Sequence, residues 1–405
     1  MLITKLKNFI QQIRDWIAKK RWFFFLITSF WALLIGFHAL LVLWPMVGGG
    51  HARVLAETNS LKSQEAPFSY IHDEIREVPW SIHIAKIERG LTNYYFGTTL
   101  GGRDHLGMST VSDQIKNLSS EKGDPVVAIN GDFYHNSDSN PGDPQDLQVW
   151  RGEVVSAPSG HMTFWMDRRG IPHMTKVESA FHVVWPTGQV SAFGLNEERK
   201  PDELALYTAA FGDSTHTQGG SEITIKWDRD ACAPFRLCKL MSGSVQSVSS
   251  NGNSRIPRFG AVLSVGEQFD GKLASVSTGM TLRISTETIP RLAGVEVALG
   301  GGPALVENGR AKVWSGLEIR HPRAAIGWNS SHIFLVEVDG RQIGLSAGMT
   351  FSELAAYMRK LGCDEAMNLD GGGSATMWVR GSVMNSPSEG HERPGANSLV
   401  LFRSR

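Results

Sequence analysis

Residues 365–381, EAMNLDGGGSATMWVRG, contain the pattern that decides the fold. The first six residues are typical of a strand, GGGS is typical of a turn, and the last seven residues are typical of a returning strand. Because strand residues i and i+2 share a face, Asn368 and Asp370 are predicted to point the same way, with Leu369 pointing into the core. The three glycines permit positive φ values and expose successive backbone N–H groups, which suits an anion. An ordinary glycine-rich hairpin turn is the competing interpretation.

The chain around this segment is rich in predicted strands. The strand candidates are 78–88, 126–130, 147–153, 162–167, 295–301, 323–328, 332–339 and 398–403. One clear helix is predicted to begin at Thr350 as N-cap, with Glu353 completing a capping box, and a shorter helix is predicted over 110–117. Helices are too few for a doubly wound parallel sheet. We therefore predict a mixed α/β (α+β) fold, a strand-dominated twisted sheet with few helices, preceded by one N-terminal transmembrane helix.

The N-terminal region has the pattern of a membrane anchor. Residues 23–44, FFFLITSFWALLIGFHALLVLW, contain no Lys, Arg, Asp or Glu, and at about 1.5 Å per residue they span roughly 30 Å, the thickness of a hydrocarbon core. Residues 1–21 contain six bases and one acid, which predicts a cytoplasmic N-terminus. We expect a basic amphipathic segment over 1–21, a transmembrane signal anchor over 22–47, and a C-terminal domain that is periplasmic or extracellular. A buried core helix is the alternative.

The expected extracytoplasmic part begins with a linker over 48–77 and continues as one domain over 78–405. Residues 200–290 are rich in Ser, Gly, Thr and Asn and alternate in short stretches, which indicates a β-rich insertion. Beyond residue 21 the chain has 34 bases and 39 acids. This mildly acidic balance argues against a nucleic-acid binder.

The three cysteines allow one disulfide. Cys232 and Cys238 are six residues apart, and an oxidising exterior would permit a small disulfide loop between them, with unpaired thiols as the equal alternative. Cys363 follows a helical pattern and is predicted to be an inert buried thiol.

Three more apolar strands are flanked by glycine with polar or charged residues. The segments are AINGDFY at 128–134, GGGPALVENGR at 300–310 and RHPRAAIGW at 320–328. Together with the turn in NLDGGGS, they indicate that distant loops converge to form one pocket.

In this order, and with NLDGGGSAT at 368–376 and ERPGANSLV at 392–400, these segments resemble the phosphodiester glycosidase domain family. That family includes the lysosomal uncovering enzyme, N-acetylglucosamine-1-phosphodiester alpha-N-acetylglucosaminidase. The resemblance covers roughly residues 80–405, without much of 200–290, and Ala324 stands where Thr is frequent in the family. It implies hydrolysis of a sugar-1-phosphodiester at the glycosidic bond, which releases a sugar and a phosphomonoester.

Such a reaction passes through an oxocarbenium-like state that a carboxylate stabilises as nucleophile or as base for water. We predict Asp370 as this carboxylate, with Asp132 second. A phosphate leaving group is already acidic, so its charge needs guanidinium and N–H donors more than a strong acid. Arg323 is the first candidate for the phosphate clamp, although a structural ion pair is its alternative, and an Asx turn is the alternative for Asp132.

The predicted binding set holds the sugar hydroxyls and the anion, and consists of Asn130, Gly131, Asn368, Gly372, Gly373, Ser374, His321, Arg393 and Gly301. For His321 the alternative is a packing role. For Arg393 the alternative is a solvated pair with Glu392 in the loop.

No metal-ligand set and no required cofactor are predicted. Ca²⁺ binding through oxygens of the loop His135–Asp146 is possible, with a polar surface loop as the alternative. The expected partners are a carbohydrate phosphodiester substrate and, through the N-terminal helix, the membrane, but no nucleic acid.

Three other functions compete with the glycosidase. A glycan-binding module without turnover, serving envelope polysaccharide assembly, is the first. A phosphodiesterase that cleaves P–O bonds would need the His/Asp-rich spacing of a two-metal site, which the sequence does not show. A structural membrane partner is favoured least, because such a protein does not need polar residues at the ends of its strands.

Overall fold

The computed structural model describes residues 67–118, 123–137, 141–228, 234–269 and 275–405, all within one compact unit, Ser60–Arg405. The predicted amphipathic segment, the membrane anchor and most of the linker lie outside the described residues. Within the described ranges, every helix is too short or too polar to cross a bilayer. The prediction of a transmembrane helix over 22–47 therefore stays a prediction.

The first sheet has seven strands, all antiparallel to their neighbours. From edge to edge they are β1 (Phe68–Ile75), β2 (Trp80–Glu88), β22 (His332–Val338), β21 (Arg323–Trp328), β23 (Glu365–Asn368), β19 (Ala304–Glu307) and β20 (Arg310–Ala311). In β21, Ala324 and Ile326 face one hydrophobic core and Ala325 faces another. Both faces of the strand are buried, which explains why its sequence is a continuous apolar run and does not alternate.

The second sheet has twelve strands. Along its path they are β12 (Gly194–Leu195), β13 (Leu204–Tyr207), β16 (Gly260–Val265), β14 (Ser221–Trp227), β15 (Leu240–Ser249), β17 (Thr281–Ile289), β10 (Pro172–Val184), β9 (Ser159–Met166), β18 (Val297–Gly301), β7 (Gln148–Trp150) and β8 (Glu153–Ser156), with β11 (Val190–Ala192) paired to β10. The β-rich character predicted for residues 200–290 is confirmed. Its strands continue a sheet that also contains β9, β10 and β18, because β17 pairs with β10.

The third sheet brings the two most informative sequence segments together. Its strands are β25 (Ser382–Val383), β24 (Met377–Val379), β4 (Asp124–Asn130), β26 (Ser398–Arg403) and β3 (Tyr94–Thr98). The strand that ends at Asn130 pairs on one side with β24, which follows the glycine turn, and on the other with β26. A short ribbon of β5 (Tyr134–Asn136) and β6 (Pro141–Pro144) continues from β4.

Both predicted helices are present. The first, α1 (Val111–Lys116), is capped by Thr110, and the second, α2 (Phe351–Lys360), begins with the predicted capping box of Thr350 and Glu353. The apolar face of α2 packs on the first sheet. The prediction of a strand-dominated protein with few helices is therefore confirmed.

The core that supports the glycine turn lies between the first and third sheets, and Leu369 is fully buried in it, as predicted. Cys363 is also fully buried, and burial raises the pKa of its thiol to about 12, as expected for an inert thiol. Cys238 is buried with its Sγ 3.6 Å from Oγ1 of Thr288. Cys232 lies outside the described residues, so the disulfide also stays a prediction.

Candidate active site

The glycine turn and the end of β4 are joined directly. Nδ2 of Asn130 donates to the carbonyl of Asp370 at 2.6 Å, and Oδ1 of Asn130 accepts from the amide of Thr376 at 3.0 Å. The amide of Asp370 in turn donates to the carbonyl of Gly131 at 2.9 Å. Two segments 240 residues apart in sequence are thus fixed as one unit.

Two more of the predicted polar loops reach the same place. The amide of Gly302 donates to the carbonyl of Asn368 at 2.8 Å, and Nδ2 of Asn368 donates back to the carbonyl of Gly302 at 2.9 Å. The amide of Gly372 donates to the carbonyl of Pro322 at 2.9 Å. The four predicted strand-end segments therefore converge, as the sequence indicated.

The chain's last strand supplies the fifth segment. Oδ1 of Asn397 accepts from the amide of Asp132 at 2.9 Å, and its carbonyl accepts from the amide of Gly131 at 3.0 Å. Its Nδ2 donates to Oε1 of Gln148 at 2.8 Å. Asn397 lies within the ANSLV part of the motif, but sequence reasoning gave it no role.

The Asp370 carboxylate is partly exposed at the start of the turn. Its Oδ1 accepts from the amide of Gly371 at 2.8 Å. Burial raises the pKa of Asp370, and the Ser374 hydroxyl, the Gly371 amide and the charge of Arg393 oppose that shift. The carboxylate therefore has a reduced solvation shell but keeps groups that favour its ionised form.

Asp132 is in a different environment. It is 2% exposed, its Oδ2 accepts from the amide of Asp146 at 3.0 Å, and its Oδ1 has no hydrogen-bond partner. Burial, followed by the charge of Asp146 and a smaller effect of Asp370, raises the pKa of Asp132 well above its usual range. Its partner lies 14 residues away, so the contact is not an Asx turn. Burial therefore favours the neutral form of Asp132 more strongly than that of Asp370, which is the more exposed of the two.

Two guanidinium groups cover the glycine turn. Arg393 lies against Gly373 so closely that a Cβ there would collide with it, and a Cβ on Gly372 would stand 3.1 Å from Nη2 of Arg341. Gly372 also has φ of +62°, a conformation that favours glycine. The glycines are therefore needed both for backbone conformation and for the close approach of positive charge.

Both guanidinium groups have neighbours in the loops. Arg393 pairs with Glu389, with Nε 3.2 Å from Oε2. Glu392 instead accepts from the amide of Ser112, so the predicted alternative of a Glu392–Arg393 pair is not formed. Nη2 of Arg341 lies 3.0 Å from Nδ1 of His321.

His321 is placed at the edge of this group. Its backbone forms an isolated bridge with Met349, and burial together with the charges of Arg341 and Arg323 lowers the pKa of its imidazole. It therefore contacts the guanidinium pair through Arg341 as a neutral ring.

Ser374 and Tyr134 complete the wall beside Asp370. Oγ of Ser374 is buried without a hydrogen-bond partner, although it is near both the Asp370 carboxylate and the Tyr134 hydroxyl. The Tyr134 hydroxyl donates to the carbonyl of Pro394 at 3.1 Å. Burial and the charge of Asp370 raise the pKa of Tyr134, so it is a neutral hydroxyl.

Arg323, which the sequence predicted as the phosphate clamp, is held by backbone carbonyls. Its Nε donates to the carbonyl of Met349 at 2.8 Å and its Nη2 to the carbonyl of Ile319 at 3.3 Å, with the guanidinium 4.0 Å from the Phe351 ring centroid. The side chain therefore packs against the start of α2. Alternation along β21 explains this, since Arg323 shares a face with Ala325 and not with Ala324.

Several N–H groups that were predicted to bind an anion donate to acceptors within the protein instead. The amide of Gly371 binds the Asp370 carboxylate, that of Gly372 binds Pro322, and that of Ser374 donates to the carbonyl of Gly371 at 3.2 Å. Nδ2 of Asn130 donates to the carbonyl of Asp370, and its Oδ1 accepts from the amide of Thr376. These backbone and side-chain donors are therefore engaged within the protein.

A cleft of about 490 Å³ lies at Gly302, whose carbonyl accepts from Asn368. Its lining includes Asp146, His161, Gly301 and Gly302, but not Asp370, Arg341 or Arg393. Asp146 is buried and accepts from the Ser159 hydroxyl, with its Oδ2 3.2 Å from Nδ1 of the exposed His161. Through the Asp146–Asp132 contact the cleft adjoins the buried carboxyl.

The loop proposed for Ca²⁺ is only partly described. Asp143 is buried near Glu197 and Glu198, whereas Asp146 pairs with His161. Within the described ranges these loop side chains do not form a group of metal ligands. Asp138 lies outside the described residues.

Sequence reasoning missed Arg341 and His161, and named Asp146 only as a candidate Ca²⁺ ligand. Arg341 follows a strand in the plain turn DGRQIG, and nothing local marks it. Asp146 follows β6 and His161 lies within β9, so no shared motif links them. Only the fold brings these two side chains into contact.

The comparisons with known proteins agree with the class that the motifs indicated. Residues 239–402 match the family model of phosphodiester glycosidases, so the predicted resemblance is confirmed for this part of the chain. The match begins inside residues 200–290, where the motifs showed no likeness.

A curated relative, the SPbeta prophage-derived uncharacterized protein YomE of Bacillus subtilis (strain 168), is 37% identical over 89 residues, which are 22% of this chain and 14% of that protein. A solved hypothetical protein from Synechocystis has a TM-score of 0.66 and 18% identity, covering 83% of this chain and 62% of that one. A solved protein from Burkholderia pseudomallei K96243 has a TM-score of 0.64 and 23% identity, covering 80% and 74%. These structures show a shared fold.

Proposed function

We propose that the protein is a hydrolase that cleaves the glycosidic bond of a sugar-1-phosphodiester and releases a sugar and a phosphomonoester. The family match over residues 239–402 supports this class of reaction. The observation that carries the proposal is the Asp370 carboxylate at the start of a glycine turn that Arg341 and Arg393 cover.

The arrangement fits the charge changes of such a reaction. Positive charge develops at the anomeric carbon, where a carboxylate stabilises it as nucleophile or as base for water. Negative charge develops on the departing phosphate oxygen, where guanidinium groups stabilise it. We assign the first role to Asp370 and the second to Arg393 and Arg341, which replace Arg323 as the clamp.

We propose that the two carboxyl groups differ in protonation because their surroundings differ. Burial beside Asp146 favours the protonated form of Asp132 strongly, whereas Asp370 is partly solvated and lies near Arg393. A neutral Asp132 places no second negative charge next to Asp370, so the nucleophile or base can be the ionised member of the pair. We assign Asp132 as a positioning residue for the loop that carries it.

The sugar is proposed to occupy the cleft of about 490 Å³ lined in part by Gly302, whose carbonyl accepts from Asn368, two residues before Asp370. His161 and Asp146 offer polar groups there for hydroxyls. Asn130 and Asn368 support the loops in this assignment and do not bind hydroxyls with their Nδ2 atoms.

We further propose that residues 23–44 anchor the protein, with the N-terminus in the cytoplasm and the glycosidase-like domain in the periplasm or outside the cell. The support is the uncharged apolar run and the six bases before it. An envelope or exopolysaccharide glycan is the substrate class that this placement favours.

Hydrolysis in ¹⁸O-labelled water tests the reaction. The purified protein is incubated with a panel of sugar-1-phosphodiesters, and both products are analysed by mass spectrometry. Glycosidic cleavage puts ¹⁸O into the sugar, and P–O cleavage puts it into the phosphate and overturns the proposal. Saturable binding without turnover of any panel member would instead identify a glycan-binding module.

A further inference from the structure

A second polar cluster is buried in the first sheet, outside the candidate active site. His83 on β2 lies directly opposite Glu337 on β22, and Asp339 follows two residues later on the same face. All three are buried, and one ligand atom from each lies within 4.8 Å of the other two. Within the described ranges this is the group of His, Cys, Asp and Glu side chains that could hold a metal ion.

The distance between two members of the cluster matches that of ligands sharing one ion. Nε2 of His83 is 3.1 Å from Oδ2 of Asp339. Two neighbouring ligands bound at about 2.1 Å are separated by about 3.0 Å in octahedral geometry and about 3.4 Å in tetrahedral geometry. The pair therefore already has the separation of adjacent ligands.

Glu337 supplies an independent observation. It is fully buried, and neither carboxylate oxygen has a partner at hydrogen-bonding geometry, although the Asn385 side chain is near enough to favour the ionised form. Protonation would remove the charge but leave a buried O–H donor and a carbonyl oxygen unpaired, at a cost of about 1–3 kcal/mol for each unsatisfied group. A cation between Glu337, His83 and Asp339 would satisfy the carboxylate and compensate its charge.

Hydrogen bonds from neighbouring residues orient His83 and Asp339. Nδ1 of His83 is 2.7 Å from the Tyr70 hydroxyl, so the other ring nitrogen is directed at Asp339. Oδ1 of Asp339 accepts from the amide of Ser386 at 2.7 Å, and the Ser81 hydroxyl donates to Oδ2 at 2.8 Å. Ligating histidines and carboxylates in proteins are held by such contacts.

We infer that His83, Glu337 and Asp339 form a buried binding site for a divalent transition-metal cation of the zinc or manganese class. One imidazole nitrogen with two carboxylates is a mixed N/O donor set that suits these ions better than Ca²⁺, which prefers six to eight oxygen ligands. All three donors are buried in the first sheet, outside the candidate active site, so we assign the ion a structural role.

The site connects to the wall of the glycine turn. Asp339 is two residues before Arg341, which covers Gly372. Asn385 adjoins Ser386 and donates to the carbonyl of Ala375, immediately after the turn. The ion would therefore fix the segment that positions Arg341, without itself contacting the substrate.

Metal content and thermal unfolding of the full-length protein test the inference. The protein is analysed for metals as isolated by inductively coupled plasma mass spectrometry, stripped with EDTA, and then titrated with ZnCl₂, MnCl₂ or CaCl₂. We expect one equivalent of zinc or manganese per chain and a rise in Tm of roughly 3–6 °C at a hundredfold excess over Kd. We expect calcium to give a smaller shift.

Glu337→Gln is the decisive variant, because it keeps the shape of the side chain and removes the ligand charge. It should bind the metal at least tenfold more weakly and lose the metal-dependent rise in Tm. Asp339→Asn should behave alike. Glu222→Gln is the matched control, since Glu222 is also fully buried but accepts from Thr217 and Ser254; it should keep the metal response.

Two results would overturn the inference. One is no stoichiometric metal in the isolated protein together with no Tm response to zinc or manganese. The other is an equal response in wild type and Glu337→Gln, which would place the binding elsewhere. Neither readout depends on catalysis, so failure here is distinguishable from failure of the proposed hydrolase activity.

Discussion

The side chain of Asn130 is hydrogen-bonded to the backbone of Asp370 at 2.6 Å. The carboxamide also accepts from the amide of Thr376, so one side chain spans the glycine turn from its first residue to the strand beyond it. The position of the candidate catalytic carboxylate therefore depends on a residue at the end of β4.

Asn130→Ala should destabilise the protein. The change leaves the carbonyl of Asp370 and the amide of Thr376 without partners, and each unsatisfied buried group costs about 1–3 kcal/mol. We expect the free energy of unfolding in urea to fall by about 2–4 kcal/mol and turnover to fall with it. The exposed Asn117→Ala should stay within about 0.5 kcal/mol of wild type. Unchanged stability with a raised KM would restore the sequence-based role of Asn130 as a sugar ligand.

Asp370→Asn should abolish glycosidic hydrolysis and leave the fold intact. The amide retains an oxygen that can accept from Gly371 but cannot stabilise an oxocarbenium-like state as a carboxylate does. We expect kcat to fall by roughly 10³-fold or more, measured as phosphomonoester release, with the urea midpoint close to wild type. Asp364→Asn at a distant turn is the control. Full activity of Asp370→Asn would remove the carboxylate assignment.

Arg393→Ala should weaken the handling of charged substrates selectively. Its guanidinium lies on Gly373 beside Asp370, where the phosphate would leave. We expect kcat/KM for a sugar-1-phosphodiester to fall by about 10²-fold, and that for an uncharged aryl glycoside to fall much less. Arg341→Ala should show the same pattern. Equal losses on both substrates would contradict the clamp assignment for these residues.

Arg323→Ala provides the contrasting case. Its guanidinium binds the carbonyls of Met349 and Ile319 and lies on Phe351. We expect a loss of about 2–4 kcal/mol in the free energy of unfolding and similar effects on charged and uncharged substrates. A selective loss on the phosphodiester, with normal stability, would return Arg323 to the role that its sequence position suggested.

These arginines show what the sequence could and could not predict. The strand ending at Asn130, the buried Leu369 and the capped helix α2 follow from local patterns, and these predictions are confirmed. The clamp role of Arg323 stays a prediction, because the strand's two faces lead to different cores and the apolar run RAAIGW gives no sign of which face meets the site. Arg341 reaches Gly372 only through pairing of β21, β22 and β23, a long-range arrangement that no local pattern encodes.

The metal-ligand group was missed for a related reason. Glu337 lies on β22 and Asp339 comes directly after the strand, a spacing that could have been noticed, but their third partner His83 lies some 250 residues earlier in β2. A pattern search for metal sites relies on short spacings such as CxxC, and a site across two strands has none. The three residues come together only through the antiparallel pairing of β2 with β22, which is known only from the fold.

Asp143 gives a prediction for the pH dependence of stability. Burial, with the charges of Glu197 and Glu198, raises the pKa of Asp143 to about 8, whereas in the unfolded chain it is about 3.9. Between these values the folded state holds a proton that the unfolded state has lost, so stability falls as pH rises through this window and levels off above about pH 8.

Asp143→Asn removes that dependence. Its free energy of unfolding relative to wild type should therefore increase by about 2–4 kcal/mol from pH 5 to pH 8, measured by urea unfolding at each pH. The exposed Asp104→Asn should give a constant difference, and a constant difference for Asp143→Asn as well would show that Asp143 is ionised throughout.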